Sequence, residues 1–161
     1  MISLSDADKE LLKKCIGEKL LKINGLIHYF DKEPRFDSPQ KLELFFSGLK
    51  RSIIFRCSSD GESITISENP MEEIDLGEYG EDKIVDLSFL SSINDCYNNI
   101  VSDVFLIYSD LEKTYIGVKF SFIEDSNLII ANVGDDLYMF ETATLPHEKE
   151  ECISHISMKN N

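Results

Sequence analysis

Short apolar runs separated by turn residues dominate the chain, and this pattern predicts mainly β structure behind one leading helix. The helix is expected over 5–16, because Ser5 can cap it and Leu11, Leu12, Cys15 and Ile16 recur at helical spacing. Residues 86–100 fit either a short helix or a loop. Strands are predicted at residues 20–30, 42–47, 52–57, 63–67, 101–108, 115–123, 128–133 and 137–141.

The connections between these strands are short. Asp60-Gly61 supplies the positive φ that a tight hairpin turn requires, and Asp125-Ser126-Asn127 and Gly134-Asp135-Asp136 separate later strands. Parallel strands need crossovers of a dozen or more residues, so short connections imply antiparallel pairing. We therefore expect an α+β fold in which the N-terminal helix packs on a mainly antiparallel, twisted sheet of about seven strands.

Two regions of the chain follow the same order of features. Residues 42–47, 53–54, 60–61 and 64–66 correspond in order to residues 118–123, 129–130, 135–136 and 137–139, and a strand precedes each set. One interpretation is a degenerate repeat of two related β meanders. The other is chance similarity between ordinary hairpins, because the two sets share no rare residue at matching positions.

The length of 161 residues suits a single domain spanning 1–161. We expect an acidic connection at 68–86 and a mobile tail from about 148 to 161. The first residues lack the basic and apolar regions of a secretory signal, and no apolar run approaches the length of a membrane helix. Four cysteines without a CxxC pair are typical of free thiols in a reducing compartment, so a cytoplasmic location is expected.

Charge is distributed unevenly. The chain has 30 acidic against 16 basic residues, a net charge of −14. Residues 1–60 carry a net +2 and the remainder −16, of which −7 lies within 68–86. Such a field opposes phosphate backbones and anionic lipid, so direct binding to nucleic acid or membrane is not expected. The acidic segment is interpreted either as a solvated linker or as a partner-binding face.

Signals for chemistry are weak. His147, Cys152 and His155 lie close together but match no zinc-site spacing, and no glycine-rich phosphate loop or GxSxG motif occurs. Cys57 or Cys96 with His28 could form a dyad only if the fold brought them together. We therefore predict no catalytic residues, no metal and no cofactor, and a protein that is not an enzyme.

Binding remains as the expected activity. In its length, its acid-rich segment, its leading helix and its β hairpins such as Ile53 to Ile66, the chain resembles bacterial immunity proteins of contact-dependent growth inhibition and related polymorphic toxin systems. The resemblance implies a heterodimer with a cognate toxin domain, often a basic nuclease, whose active site is blocked. Some members of that class accept a toxin hairpin at a sheet edge. The predicted partner-binding residues are Glu72, Glu73, Asp75, Glu78, Tyr79, Glu81 and Asp82.

Two other functions remain open at this stage. One is a non-catalytic regulatory or scaffold domain with a different protein partner. The other is a carboxylate-based hydrolase, which would require a deep pocket with two carboxyl groups of displaced pKa.

Overall fold

A computed structural model describes residues 4–67 and 69–159 of the chain, which form one short α-helix and two antiparallel sheets. The helix α1 covers Asp6–Lys13. The strands are β1 (Leu20–Phe30), β2 (Glu33–Pro34), β3 (Lys41–Phe46), β4 (Ile53–Cys57), β5 (Ile64–Ser67), β6 (Ile74–Asp75), β7 (Glu81–Asp86), β8 (Val101–Ser109), β9 (Thr114–Phe122), β10 (Asn127–Val133), β11 (Asp136–Phe140) and β12 (Ile153–Ser157). Between β7 and β8, the chain makes 3₁₀ turns at Leu87–Phe89 and Ser91–Cys96.

A capping box formed by Ser5 and Asp8 marks the N-terminus of α1 where the sequence predicts it. The Ser5 hydroxyl accepts a hydrogen bond from the Asp8 amide at 3.1 Å, and the Asp8 carboxylate accepts one from the Ser5 amide at 3.0 Å. The helix ends at Lys13, three residues before the predicted end, because the chain tightens into turns in which Cys15 N–H donates to the Leu12 carbonyl.

The first sheet has the order β5-β4-β3-β1-β7-β6, and β2 pairs with the end of β1. The second sheet has the order β11-β10-β9-β8-β12. Each sheet is therefore a four-stranded meander whose first strand is flanked by a strand from later in the chain, β7 in one case and β12 in the other. The two predicted meanders are present, and corresponding strands occupy corresponding places.

Equivalent positions join the two sheets. Lys19, which precedes β1, forms an antiparallel bridge with Ile100, which precedes β8. The Lys19 carbonyl accepts from the amide of Ser47, which follows β3, and the Ile100 carbonyl accepts from the amide of Ile123, which follows β9, each at 2.9 Å. The two halves thus meet at matching points of the same chain path.

One apolar core lies between the sheets. Strand residues alternate between two faces, and the inner faces contribute Ile53 and Phe55 from one sheet and Val118 and Phe120 from the other. The Phe120 ring lies 5.2 Å from the ring of Phe46 and 6.3 Å from that of Phe55, measured between centroids. Aromatic contacts across the two sheets therefore stabilise their packing.

The structure confirms the eight predicted strands and corrects three broader expectations. The fold is mainly β rather than α+β, since α1 has only eight residues. The strands form two sheets instead of one sheet of about seven. The predicted mobile tail is wrong for residues 153–157, because β12 pairs with β8 along its whole length, from Ile153 opposite Ser109 to Ser157 opposite Phe105. Asn160 and Asn161 lie outside the described residues.

Replacing Phe120 with alanine tests the shared core. The side chain is fully buried and contacts aromatic rings of the other sheet, so Phe120→Ala should lower the free energy of unfolding by about 3–5 kcal/mol. The matched control is Leu111→Ala, because Leu111 is 64% exposed and its loss should change the free energy by no more than about 0.5 kcal/mol. Urea titrations followed by circular dichroism measure both, and equal effects would contradict a common core.

Candidate functional site

The acidic segment forms one edge of the first sheet. We call residues 74–86, which comprise β6, a turn and β7, the acidic hairpin. β7 pairs with β1 over six residues, whereas β6 pairs with β7 only at Ile74–Asp82 and Asp75–Glu81. Glu73 substitutes for a longer edge strand, because its carboxylate accepts a hydrogen bond from the Ile84 amide at 2.9 Å. Among the described residues, β7 beyond this point has no further strand on its outer side.

A strap, residues 69–73, carries the chain to this edge. β5 and β6 lie at opposite edges of the first sheet, so the chain between them must cross the sheet. It crosses the face away from the core, where Met71 is buried against Leu26 and Ile54 in a small separate apolar cluster. The segment predicted as a surface connection is thus a strap followed by an edge hairpin. Glu68 lies outside the described residues.

The turn of the acidic hairpin depends on Gly80. Its φ of 97° and ψ of −153° belong to a region that only glycine adopts readily. A Cβ at this position would lie 2.0 Å from the carbonyl oxygen of Tyr29 on β1. Gly80 therefore allows the turn to approach the neighbouring strand. The amide of Leu76 donates to the Gly80 carbonyl at 2.8 Å and closes the turn.

The structure places all seven predicted partner-binding residues on the strap and the hairpin. Five are exposed: Glu72, Glu73, Asp75, Glu78 and Tyr79. Tyr79, the one aromatic residue of the set, is 68% exposed. Glu81 and Asp82 are half-buried, and Glu81 is 3.5 Å from the ammonium group of Lys83. The seven residues therefore divide by exposure into five exposed and two half-buried side chains.

Asp82 has a structural partner. Its carboxylate lies 2.8 Å from Nδ1 of His28 on the adjacent β1, and both side chains are largely shielded from solvent. His28 is thus a strand residue, as the sequence predicts, and its polar partner is Asp82 rather than a cysteine. The pair holds β7 against β1, so Asp82 contributes to the position of the acidic hairpin.

Apolar side chains on the same edge escaped the sequence analysis. Ile74, Leu76 and Ile84 are 46%, 41% and 37% exposed, and they stand between the carboxylates. The sequence contained a signal for two of them, because Ile74 and Leu76 flank Asp75 in a segment otherwise interpreted by charge alone. An edge that combines exposed apolar and acidic groups offers a partner both buried area and charge complementarity.

The cysteines have the properties of structural thiols. Burial raises the pKa of Cys15, Cys57 and Cys96 to about 12, and the nearby carboxylates of Asp135, Asp136 and Asp60 add to the rise at Cys57. Such thiols are protonated near neutral pH and are poor nucleophiles. Cys152 is exposed.

No metal site is evident among residues 4–67 and 69–159, since no cluster of three or more His, Cys, Asp or Glu side chains there has ligand geometry. Of the predicted tail residues, His155 contacts Glu148. Within the same residues, no helix combines the length and apolar character needed to cross a membrane.

In comparisons with protein-family models, with curated proteins and with solved structures, nothing matches the chain. The inference about function therefore depends on the acidic hairpin and its surroundings.

Substituting alanine at two glycines tests how the hairpin turn is held. Gly80→Ala should lower the free energy of unfolding by at least about 2 kcal/mol more than Gly77→Ala, because the added Cβ meets the backbone of β1. Gly77 also has a positive φ, of 65°, but a Cβ there meets nothing within 4 Å, so only about 1 kcal/mol is expected. Chemical denaturation of both variants provides the comparison, and similar losses would show that the contact with Tyr29 is unimportant.

Thiol titration tests the environment of the cysteines. With a pKa of about 12, only about one in ten thousand molecules of each buried thiol is ionised at pH 8, so the folded protein should show one rapidly reacting thiol. Cys152→Ser should remove that fast phase, whereas full denaturation should expose all four thiols of the natural chain. Absorbance after addition of Ellman's reagent measures each phase. A second fast phase in the folded protein would refute the assignment.

Proposed function

We propose that this protein is an immunity-type inhibitor that binds a basic bacterial toxin domain, of the nuclease type, and blocks its active site or substrate surface. The observation that carries the proposal is the acidic hairpin, where exposed carboxylates and exposed apolar side chains share one sheet edge. A nuclease active site is basic because it binds phosphates, and an acidic surface can occupy the same groups. The inhibitor needs no reaction of its own.

Charge supports rapid capture. The net charge of −7 over 68–86 adds to the acidity of the second half of the chain. Opposite charges steer partners together and can raise association rates to about 10⁸–10⁹ M⁻¹s⁻¹ at low salt. Speed matters for an inhibitor that must act before the toxin reaches its substrate. We place this heterodimer in the cytoplasm, where a nuclease toxin would act.

The sheet edge supports a defined mode of contact. β6 has only two residues and is the outermost strand of this edge, so a strand of the partner can add beside β6. Tyr79 and Ile74 would then contact the partner's side chains, and Glu72 and Glu78 its basic groups. Glu73 and Asp82 act mainly within the fold, since they bond to the Ile84 amide and to His28.

Co-expression provides the direct test of function. The product of the gene immediately upstream should be toxic when expressed alone, and this protein should restore growth and co-purify with that product. Absence of toxicity or of rescue would contradict the proposal.

Charge reversal tests the surface. In the double variant Glu72→Lys/Glu78→Lys, association with the partner should slow by about tenfold or more at low salt, because steering by the strap and the acidic hairpin is lost. Both residues are exposed, so the fold should be retained. Stopped-flow fluorescence at several salt concentrations measures the rate.

The matched control is Asp37→Lys/Glu124→Lys, which makes the same change in net charge at exposed positions outside the hairpin. It should slow association by much less. If the two double variants behave alike, the overall charge matters and the hairpin is not the interface.

A further inference from the structure

Beside the strap lies a groove of about 680 Å³ on the outer face of the first sheet, which we call the strap groove. Leu26, Lys41 and Arg56 form its floor, because they project from β1, β3 and β4 on the side away from the core. The strap and β6 form one wall, and the loop before β3 forms another. Residues of the turn between β10 and β11 also line the groove.

The groove gathers charges of both signs from distant parts of the chain. Lys41 and Arg56 are basic, and Glu72, Asp135 and Asp136 are acidic. The turn lies close to the loop before β3, because the Ser38 hydroxyl donates to the Asp136 carboxylate at 3.3 Å, and the nearby carboxylates of Asp135 and Asp136 help to raise the pKa of the Cys57 thiol, which also lines the groove. The turn thus carries acidic groups of the second half to the strap groove.

These charges are not paired with one another. Among the described residues, neither Lys41 nor Arg56 forms an ion pair, although both are half-buried. The Arg56 guanidinium donates only to the carbonyl of its neighbour Cys57, at 3.2 Å, and the Asp136 carboxylate accepts from the Ser38 hydroxyl at 3.3 Å. Partly desolvated charged groups are stabilised by a nearby opposite charge, and the space between the basic and the acidic side chains of the groove is open.

We propose that the strap groove binds a short peptide segment that carries one acidic and one basic side chain. The acidic side chain pairs with Arg56 and Lys41, and the basic side chain pairs with Asp135, Asp136 and Glu72. The volume lies within the range of about 300–1,000 Å³ that is usual for ligand sites and suits a few residues of extended chain. A purely basic segment would meet Arg56 and Lys41 without compensation, so capture by acidic charge alone does not describe this site.

This site goes beyond the proposed inhibition of a toxin, and its test involves no toxin. The probe is the blocked tripeptide Arg-Ala-Glu, titrated into the ¹⁵N-labelled full chain. We expect saturable amide shifts at residues lining the groove, such as Gln40, Cys57 and Leu137. The blocked tripeptides Arg-Ala-Gln and Gln-Ala-Glu, which each lack one charge, should bind about tenfold more weakly.

Variants identify the groups responsible. Arg56→Gln should weaken binding of Arg-Ala-Glu about tenfold but leave binding of Arg-Ala-Gln nearly unchanged. Asp135→Asn should also weaken binding of Arg-Ala-Glu about tenfold, but it should leave binding of Gln-Ala-Glu nearly unchanged. Asparagine tolerates the positive φ of 70° at position 135, so the turn is preserved. The matched control is Asp125→Asn, which has a φ of 51° in another hairpin turn and should change nothing.

Three results would overturn the proposal: no saturable shift at the groove, equal affinity for the three tripeptides, or equal effects of Asp135→Asn and Asp125→Asn. Should Arg56→Gln fail to fold, as judged from its amide spectrum, Lys41→Gln tests the same half of the site. Failure of toxin rescue with retained peptide binding would reject the proposed function alone, and the opposite pattern would reject the groove alone.

Discussion

The fold depends on the burial of two apolar sheet faces against each other. Each sheet turns an apolar face toward the other sheet, and α1 is too short to cover either, so these two faces are buried by mutual contact through Phe46, Phe55 and Phe120. The bridge between Lys19 and Ile100 sets where the sheets meet. This packing positions the acidic hairpin and the strap groove, because both are built on the first sheet, which is held in place by burial of its inner face.

The candidate functions lie where the two halves differ. β7 and β12 occupy equivalent places beside β1 and β8, and a chain segment crosses the outer face of each sheet to reach them, with Met71 buried in one crossing and Leu145 in the other. Among the described residues, only the first half has the further edge strand β6. The strap and the acidic hairpin carry the candidate acidic residues, whereas the shared meanders carry the core. The β10–β11 turn belongs to the shared meander of the second half, and its Asp135 and Asp136 line the strap groove of the first half. The meanders that both halves share thus provide stability, and the acidic hairpin of the first half provides the candidate recognition surface.

Local patterns predicted local structure well. Alternating side chains and turn residues such as Asp60-Gly61 indicated eight strands, because hairpins form between neighbours in sequence. The division into two sheets, the strap and β12 depend on contacts between distant segments, which short patterns do not encode. The acidic edge was predicted from charge alone. The bond of Glu73 to the Ile84 amide and the pairing of Asp82 with His28 were not predicted, and Asp82 and His28 are far apart in the chain. The strap groove combines four or more such segments and left no signal in the sequence.

The path of the strap has a consequence for the integrity of the chain. Both of its ends continue into strands of the same sheet, and β7, which follows it, lies inside that sheet beside β1. A single peptide-bond cleavage in the strap would therefore leave two fragments that share the first sheet. The C-terminal fragment would contain the whole second sheet and would also supply β7 to the sheet formed by the N-terminal fragment. Strand pairing and the common core would hold the fragments together, and the strap is accordingly a natural point at which to divide the protein for fragment complementation.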